Sequence, residues 1–271
     1  MTVRLGAVGY LNARPLVHGL DVSPRFELRF DVPSECARLL HDGAIDVGMI
    51  PSIEYLRGGP YRIVPDLAIA SRGPVASVAI YATKPVRDVR SIALDTSSRT
   101  SVALVSVLCA QLFKIQPAFE HRGPDVSAML EHCDAALIIG DNALLLDHRQ
   151  SEVGGLKPEI EKIDLGAAWL TLTGLPFVWA FWAGRADALN ADDVKALQRA
   201  RDAGVTQSEL IAREYFPDSR TRQTAGAAYL RDNIKYYLGD QERAGLETFY
   251  RYAVEVGVAE RLLAPLFYSQ P

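Results

Sequence analysis

Apolar and polar positions follow two rhythms along this chain, one up to Gly184 and a different one beyond it. In the first part, short apolar runs closed by turn residues predict strands. They are "VRLGAVG" (3–9), "FELRFDV" (26–32), "AIDVGMI" (44–50), "SIALD" (91–95), "PAFEHRG" (117–123) and "DAALIIG" (134–140). "YRIVPDLAIASRG" and "PVASVAIYAT" add two extended segments between residues 61 and 83. Between the strands lie helical stretches. "PSECARLLHDG" has Pro33 at its start and Gly43 as its stop, and "TSSRTSVALVSVLCAQLF" sets Val102, Val105, Leu108, Cys109 and Leu112 on one face. "DVSAMLEHC" is a third.

Beyond Gly184 the period lengthens to three and four. "DDVKALQRARDAG", "TQSELIAREYF", "TRQTAGAAYLRDNIKYYL" and "DQERAGLETFYRYAVEVG" all read as amphipathic helices. The first part also repeats itself. Asp46 opens "DVGMIPS" and Asp134 opens "DAALIIGD", each an acid, a buried strand and a small or polar turn. The pattern predicts an α/β protein of two right-handed βαβ lobes with a ligand cleft between them. The expected division is residues 1–86 with 176–271 for lobe I and 87–175 for lobe II, with crossings near 83–91 and 174–178. No low-complexity linker separates the two.

Composition narrows the function. The 271 residues are 49% apolar and 23% charged, with net charge −4 and no basic block, which argues against a nucleic-acid partner. Arg199, Arg201, Arg213, Arg220 and Arg222 are interleaved with acids and read as a solvated helix face. No apolar run reaches membrane-spanning length, and "MTVRLGAVGY" does not read as a secretory leader, so a cytoplasmic protein without a membrane partner is expected. Cys36, Cys109 and Cys133 read as buried free thiols. His18, His41, His121, His132 and His148 share no metal-ligand spacing, and no glycine-rich nucleotide fingerprint is present. Neither a metal nor a cofactor is expected. Oligomeric state is not legible.

In open α/β sheets ligands collect beyond the carboxyl ends of the strands. Tyr10, Asn12 and Arg14 follow the first strand there, Ser52 follows the third, and Ser77 lies on an extended segment. Thr96, Ser97, Ser98 and Thr100 surround a helix start, and Gly140, Asp141 and Asn142 end "DAALIIGDN". Each hydroxyl also has a plain reading as a helix cap. Four hydroxyls exceed the need of one cap, which favours a carboxylate or phosphate site at 96–100. "LPFVWAFW" reads as core, with Phe177 or Trp179 as possible ligand-facing walls. The residues alone support a small-anion binding fold.

Taken together, "VGYLNARPL", "GAIDVGMIPSIEY", "SRGPVASV", "LDTSSRTSVALV", "IIGDNAL" and "LTGLPFVWAFWA" resemble the chorismate dehydratases (MqnA type) of the futalosine route to menaquinone. The resemblance extends through "NIKYYLGDQERAGLETFYRYAVEVG" and so covers nearly the whole chain. It implies a two-lobed fold of the type II periplasmic-binding-protein kind and a hydro-lyase acting in menaquinone biosynthesis. The reaction implied converts chorismate to 3-[(1-carboxyvinyl)oxy]benzoate and water. With it go expected roles: Thr96, Ser97, Ser98 and nearby amides on one carboxylate, and Ser52 and Ser77 on the other. Asn12 is expected on the hydroxyl or enolpyruvyl oxygen, Tyr10 against the ring, and Gly140 in the pocket. For the base, Asp141 and the substrate's own enolpyruvyl carboxylate stand as alternatives. Two other readings compete. The related MqnD-type enzyme opens with a Cys-Pro-Asn-Asp type of sequence where this chain has "YLNARPL", and a non-catalytic anion-binding protein would share the fold.

Overall fold

The computed structural model describes residues 2–147 and 159–269, so His148 lies outside the described residues. Twelve strands are described: β1 (Val3–Val8), β2 (Phe26–Asp31), β3 (Val47–Pro51), β4 (Arg62–Ile63), β5 (Ile69–Ser71), β6 (Val78–Ala82), β7 (Ser91–Asp95), β8 (Ala118–Arg122), β9 (Ala135–Ile139), β10 (Glu161–Asp164), β11 (Phe177–Gly184) and β12 (Ile234–Lys235). The α-helices are α1 (Pro33–His41), α2 (Glu54–Arg57), α3 (Thr100–Leu108), α4 (Val126–Leu130), α5 (Gly140–Leu144), α6 (Leu165–Thr173), α7 (Ala191–Val205), α8 (Ser208–Tyr215), α9 (Arg220–Ala228) and α10 (Asp240–Glu255).

The strands form two sheets, ordered β12-β5-β11-β3-β1-β2, with β4 also on β11, and β10-β6-β9-β7-β8. Each sheet is built on one plan. In the first, β1 lies parallel between β2 and β3, and β11 runs antiparallel on β3. In the second, β7 lies parallel between β8 and β9, and β6 runs antiparallel on β9. The repeated acids explain part of this likeness. Asp46 accepts from the Arg4 amide at 2.9 Å and Asp134 from the Arg90 amide at 2.8 Å, so each ties the approach to the third strand to the start of the central one.

The same plan leaves the carboxyl ends of the parallel strands in both sheets free to carry ligand-facing turns. Phe177 packs edge-on against Trp169 and Phe249, with ring centroids 5.2 and 4.9 Å away, fixing β11 between α6 and α10. Cys36, Cys109 and Cys133 are buried and unpaired. No helix among the described residues is long and apolar enough to cross a membrane.

Two elements differ from the sequence pattern. The segment expected to close lobe I at residue 86 contains β6, which pairs with β9 and β10 in the second sheet. Residues 72–77 therefore run from β5 in the first sheet to β6 in the second. The second difference is at "TRQTAGAAYLRDNIKYYL". Here α9 stops at Ala228, a π turn spans Tyr229–Asn233, and β12 follows. Ile234 and Lys235 pair with Ser71 and Ala70. Covering the backbone of β5, otherwise an open edge, outweighs the helical period of the segment.

Candidate active site

A narrow cleft with about 60 Å³ of free space lies where the two sheets face each other. Tyr10, Asn12 and Trp179 line it from the first sheet's side, and Ser77, Ser98 and Gly140 from the second's.

The turn after β1 answers why that strand ends in an aromatic, an amide and a guanidinium. A 3₁₀ helix covers Leu11–Val17, with Pro15 inside it. Its tight pitch aims alternate side chains differently. Tyr10 and Asn12 enter the cleft. Arg14 turns away, donates to the Gly9 carbonyl at 3.2 Å, and lies 4.1 Å from the Phe30 ring centroid. The Asn12 Oδ1 is buried and has no hydrogen-bond partner among the described residues. A buried acceptor left in this state costs about 1–3 kcal/mol, so it marks a place for an incoming donor.

Ser77 follows a strained turn. Its amide bonds the Val75 carbonyl at 2.8 Å across Ala76, whose φ is +65°. Asp164 holds this turn from the far side, accepting from the Val75 and Ala76 amides at 3.0 and 2.7 Å. Such strain persists only where surrounding contacts over-determine it. The Ser77 hydroxyl sits 2.7 Å from that of Tyr229, which also lies beside the Asn12 side chain. Burial raises the Tyr229 pKa, so its phenol stays neutral, and the two hydroxyls share one hydrogen bond beside the cleft that Ser77 lines.

The third wall is the start of α3. Ser98, Arg99, Thr100 and Ser101 all line the cleft, and no side chain caps the helix. Unpaired first-turn amides and the helix dipole favour an anion there.

Not every candidate reaches this space. Ser52 is fully buried and donates to the Val178 carbonyl at 2.8 Å, so its hydroxyl is spent holding β3 to β11. Thr96 is exposed and lines a neighbouring hollow with Arg57 and His121. The Ser97 hydroxyl donates to Asp95 at 2.6 Å and meets the cleft only through Tyr10, whose hydroxyl is 3.3 Å away. Asp141 does not line the cleft. Its Oδ1 accepts from the Leu11 amide at 3.2 Å, and its Oδ2 is 2.5 Å from the Tyr215 hydroxyl. Burial raises the Asp141 pKa against these hydrogen bonds. Gly140, with φ +63°, supports the Tyr10 ring; a Cβ there would lie 2.8 Å from it. Trp179 lines the cleft and donates to Ser71 at 3.1 Å, whereas Phe177 is core.

Two functional candidates were hidden in helical text. Tyr229 and Tyr215 sit in amphipathic segments, where nothing in the spacing sets them apart from core tyrosines. Thr100 was visible as one of four hydroxyls, yet its structural bond to the Ile53 amide at 3.3 Å was not.

With this geometry in view, comparison with known proteins separates the readings. A family model described as menaquinone biosynthesis matches residues 3–255. The chain belongs to the menaquinone-biosynthesis family. Within it, the chain is 31% identical to the chorismate dehydratase of Thermus thermophilus, over 98% of both chains. Solved structures share the fold. A protein from Archaeoglobus fulgidus superposes with a TM-score of 0.73 at 17% identity, covering 95% of this chain and 98% of its own. The periplasmic aliphatic sulphonate binding protein SsuA from Escherichia coli gives 0.66 at 14% identity, covering 100% and 93%. Membership of the menaquinone-biosynthesis family thus comes on a periplasmic-binding-protein-like fold.

Proposed function

We propose that this chain is a chorismate dehydratase, converting chorismate to 3-[(1-carboxyvinyl)oxy]benzoate and water. Family membership supports the reaction. The buried, unpartnered Asn12 Oδ1 is the observation that ties the reaction to this cleft. The chorismate dianion carries one hydrogen-bond donor, the C4 hydroxyl, and that is the group Asn12 Oδ1 accepts. Ser98, Ser101 and the first amides of α3 take one carboxylate, and the Ser77 hydroxyl takes the other. Tyr10 lies along the ring. Arg99, also lining the cleft, adds positive charge beside the dianion.

The chemistry needs a proton removed from C3, which is vinylogous to the ring carboxylate. The C3–H electron pair moves into the ring as a dienolate, the C4–O bond breaks, and the ring becomes aromatic. Among the described residues lining the cleft there is no aspartate, glutamate, histidine, lysine or cysteine. The substrate's own enolpyruvyl carboxylate is therefore our candidate for the proton acceptor. The proton it takes leaves with the C4 oxygen as water. Neutral donors fixed around the developing dienolate supply stabilisation, typically about 3 kcal/mol each.

For the lobes we assign β1–β5, β11 and β12 to one and β6–β10 to the other, joined through 72–77 and 174–176. The activity is tested by incubating the purified protein with chorismate and a chelator and following the ring protons by NMR. Appearance of the aromatic enol ether supports the reading. Tight binding with chorismate unchanged would make the chain a binding protein instead.

A further inference from the structure

We propose that Asp141 and Tyr215 form a clasp that seats the Gly9–Asn12 turn against the second lobe, making Asp141 a positioning residue. The proposal rests on the dehydratase reading and adds to it the group that holds Asn12 in register.

Three distant chain segments meet at the clasp. Asp141 follows β9 of the second sheet, whereas its carboxylate bonds Leu11 and Tyr215 from the other side of the cleft. The Leu11 amide reaches Oδ1 at 3.2 Å. Tyr215, at the end of α8, brings its hydroxyl 2.5 Å from Oδ2 and 3.0 Å from the Gly9 carbonyl. The peptide groups on both sides of Tyr10 are thus held, one by Asp141 and one by Tyr215. The Tyr10 ring completes the register by lying on Gly140, the residue before Asp141. Arg14 reinforces the corner, donating to Gly9 and placing its guanidinium 5.1 Å from the Tyr215 ring centroid. The two residues displayed by this turn, Tyr10 and Asn12, are the first lobe's foremost contribution to the cleft.

A clasp and a base make opposite demands at position 141. With asparagine there, the amide oxygen still accepts from Leu11. Its NH₂ donates to the Tyr215 oxygen, whose proton turns to the Gly9 carbonyl. All three links survive without a carboxylate. A residue that takes the C3 proton has no such substitute, and alanine breaks the clasp outright.

The test measures kcat and KM for chorismate in Asp141→Asn, Asp141→Ala and Tyr215→Phe, with amide hydrogen exchange of residues 9–14. We expect Asp141→Asn to keep kcat within tenfold of the parent. Asp141→Ala should lose about 100-fold, and Tyr215→Phe, which keeps the Leu11 link, less than tenfold. Exchange at 9–14 should quicken in the alanine variant and not in the asparagine one. A loss beyond tenfold in Asp141→Asn with exchange unchanged would make Asp141 the base and overturn the proposal. So would parent-like kcat and exchange in Asp141→Ala. If the alanine variant does not fold, the asparagine and phenylalanine variants decide by the same limits. Hydrogen exchange is read without substrate, so a parent inert toward chorismate would sink the dehydratase reading while leaving the clasp measurable.

Discussion

The two sheets run the same plan twice and end it differently. In both, an acid before the third strand grips the start of the central strand, Asp46 on Arg4 and Asp134 on Arg90. At the far ends of those third strands the likeness stops. After β3, Ser52 turns inward and seals β3 to β11. After β9, Gly140 yields its surface to the Tyr10 ring, and Asp141 reaches across to the other lobe. The central strands diverge too, β1 leading to Tyr10 and Asn12, and β7 to the hydroxyls and free amides at the start of α3. The repeated architecture supplies two facing rims. Their unlike chemistry fits a guest with a ring and hydroxyl on one side and carboxylates on the other.

Removing the first rim's key contact should show the largest effect. Asn12→Ala should lower kcat by about 10²–10³, the loss typical for one positioned transition-state contact. Its Oδ1 has no partner among the described residues, and losing its side-chain contact with Tyr229 should lower the thermal midpoint by no more than about 4 °C. Steady-state kinetics beside a melting curve checks both, and a large drop in midpoint would give Asn12 a structural role.

Gly140→Ala strikes the opposite rim. Alanine at φ +63° costs about 1–2 kcal/mol, and its Cβ displaces the Tyr10 ring. A lower midpoint together with a raised KM is expected; a changed midpoint with unaltered kinetics would separate the ring from the cleft.

The smallest effect concerns the shared device. Hydrogen bonds from Arg4, joined by Arg185, hold the Asp46 carboxyl well below the usual range. Burial opposes the same shift in Asp134, where Lys84 and the Arg90 amide outweigh it. Folded pKa values below the unfolded value of about 3.9 stabilise the protein above that pH, and the benefit drains away as pH falls through the folded values. Asp46→Asn should therefore destabilise more than Asp134→Asn at pH 7, with the gap closing below about pH 4. Urea unfolding across that range measures it, and equal losses would mean the two grips are equivalent.

Much of the fold was readable because buried parallel strands announce themselves as continuous apolar runs, and the repeated Asp46 and Asp134 mark equivalent places. The placement of β6 was not readable, since an apolar strand looks the same whichever sheet accepts it. At the candidate site, Tyr10, Asn12, Ser98 and Gly140 were legible as polar or small residues just past strand ends, and Ser77 as a hydroxyl on an extended segment. Ser52, Thr96 and Ser97 obey that same rule, yet their hydroxyls bond β11, face solvent or satisfy Asp95. Residue type locates a turn, while side-chain direction depends on packing across it. Asp141 shows the limit most plainly, because its partners are 130 and 74 positions away.

The central claim is that the cleft contributes hydrogen-bond donors but no base, and the substrate contributes the base. The most direct measurement compares chorismate with its isosteric analogue bearing a carboxamide in place of the enolpyruvyl carboxylate, recording both turnover and competitive inhibition. The account predicts an inhibitor constant within tenfold of the chorismate KM and turnover lower by at least a thousandfold. Turnover of the carboxamide within tenfold of chorismate would contradict it.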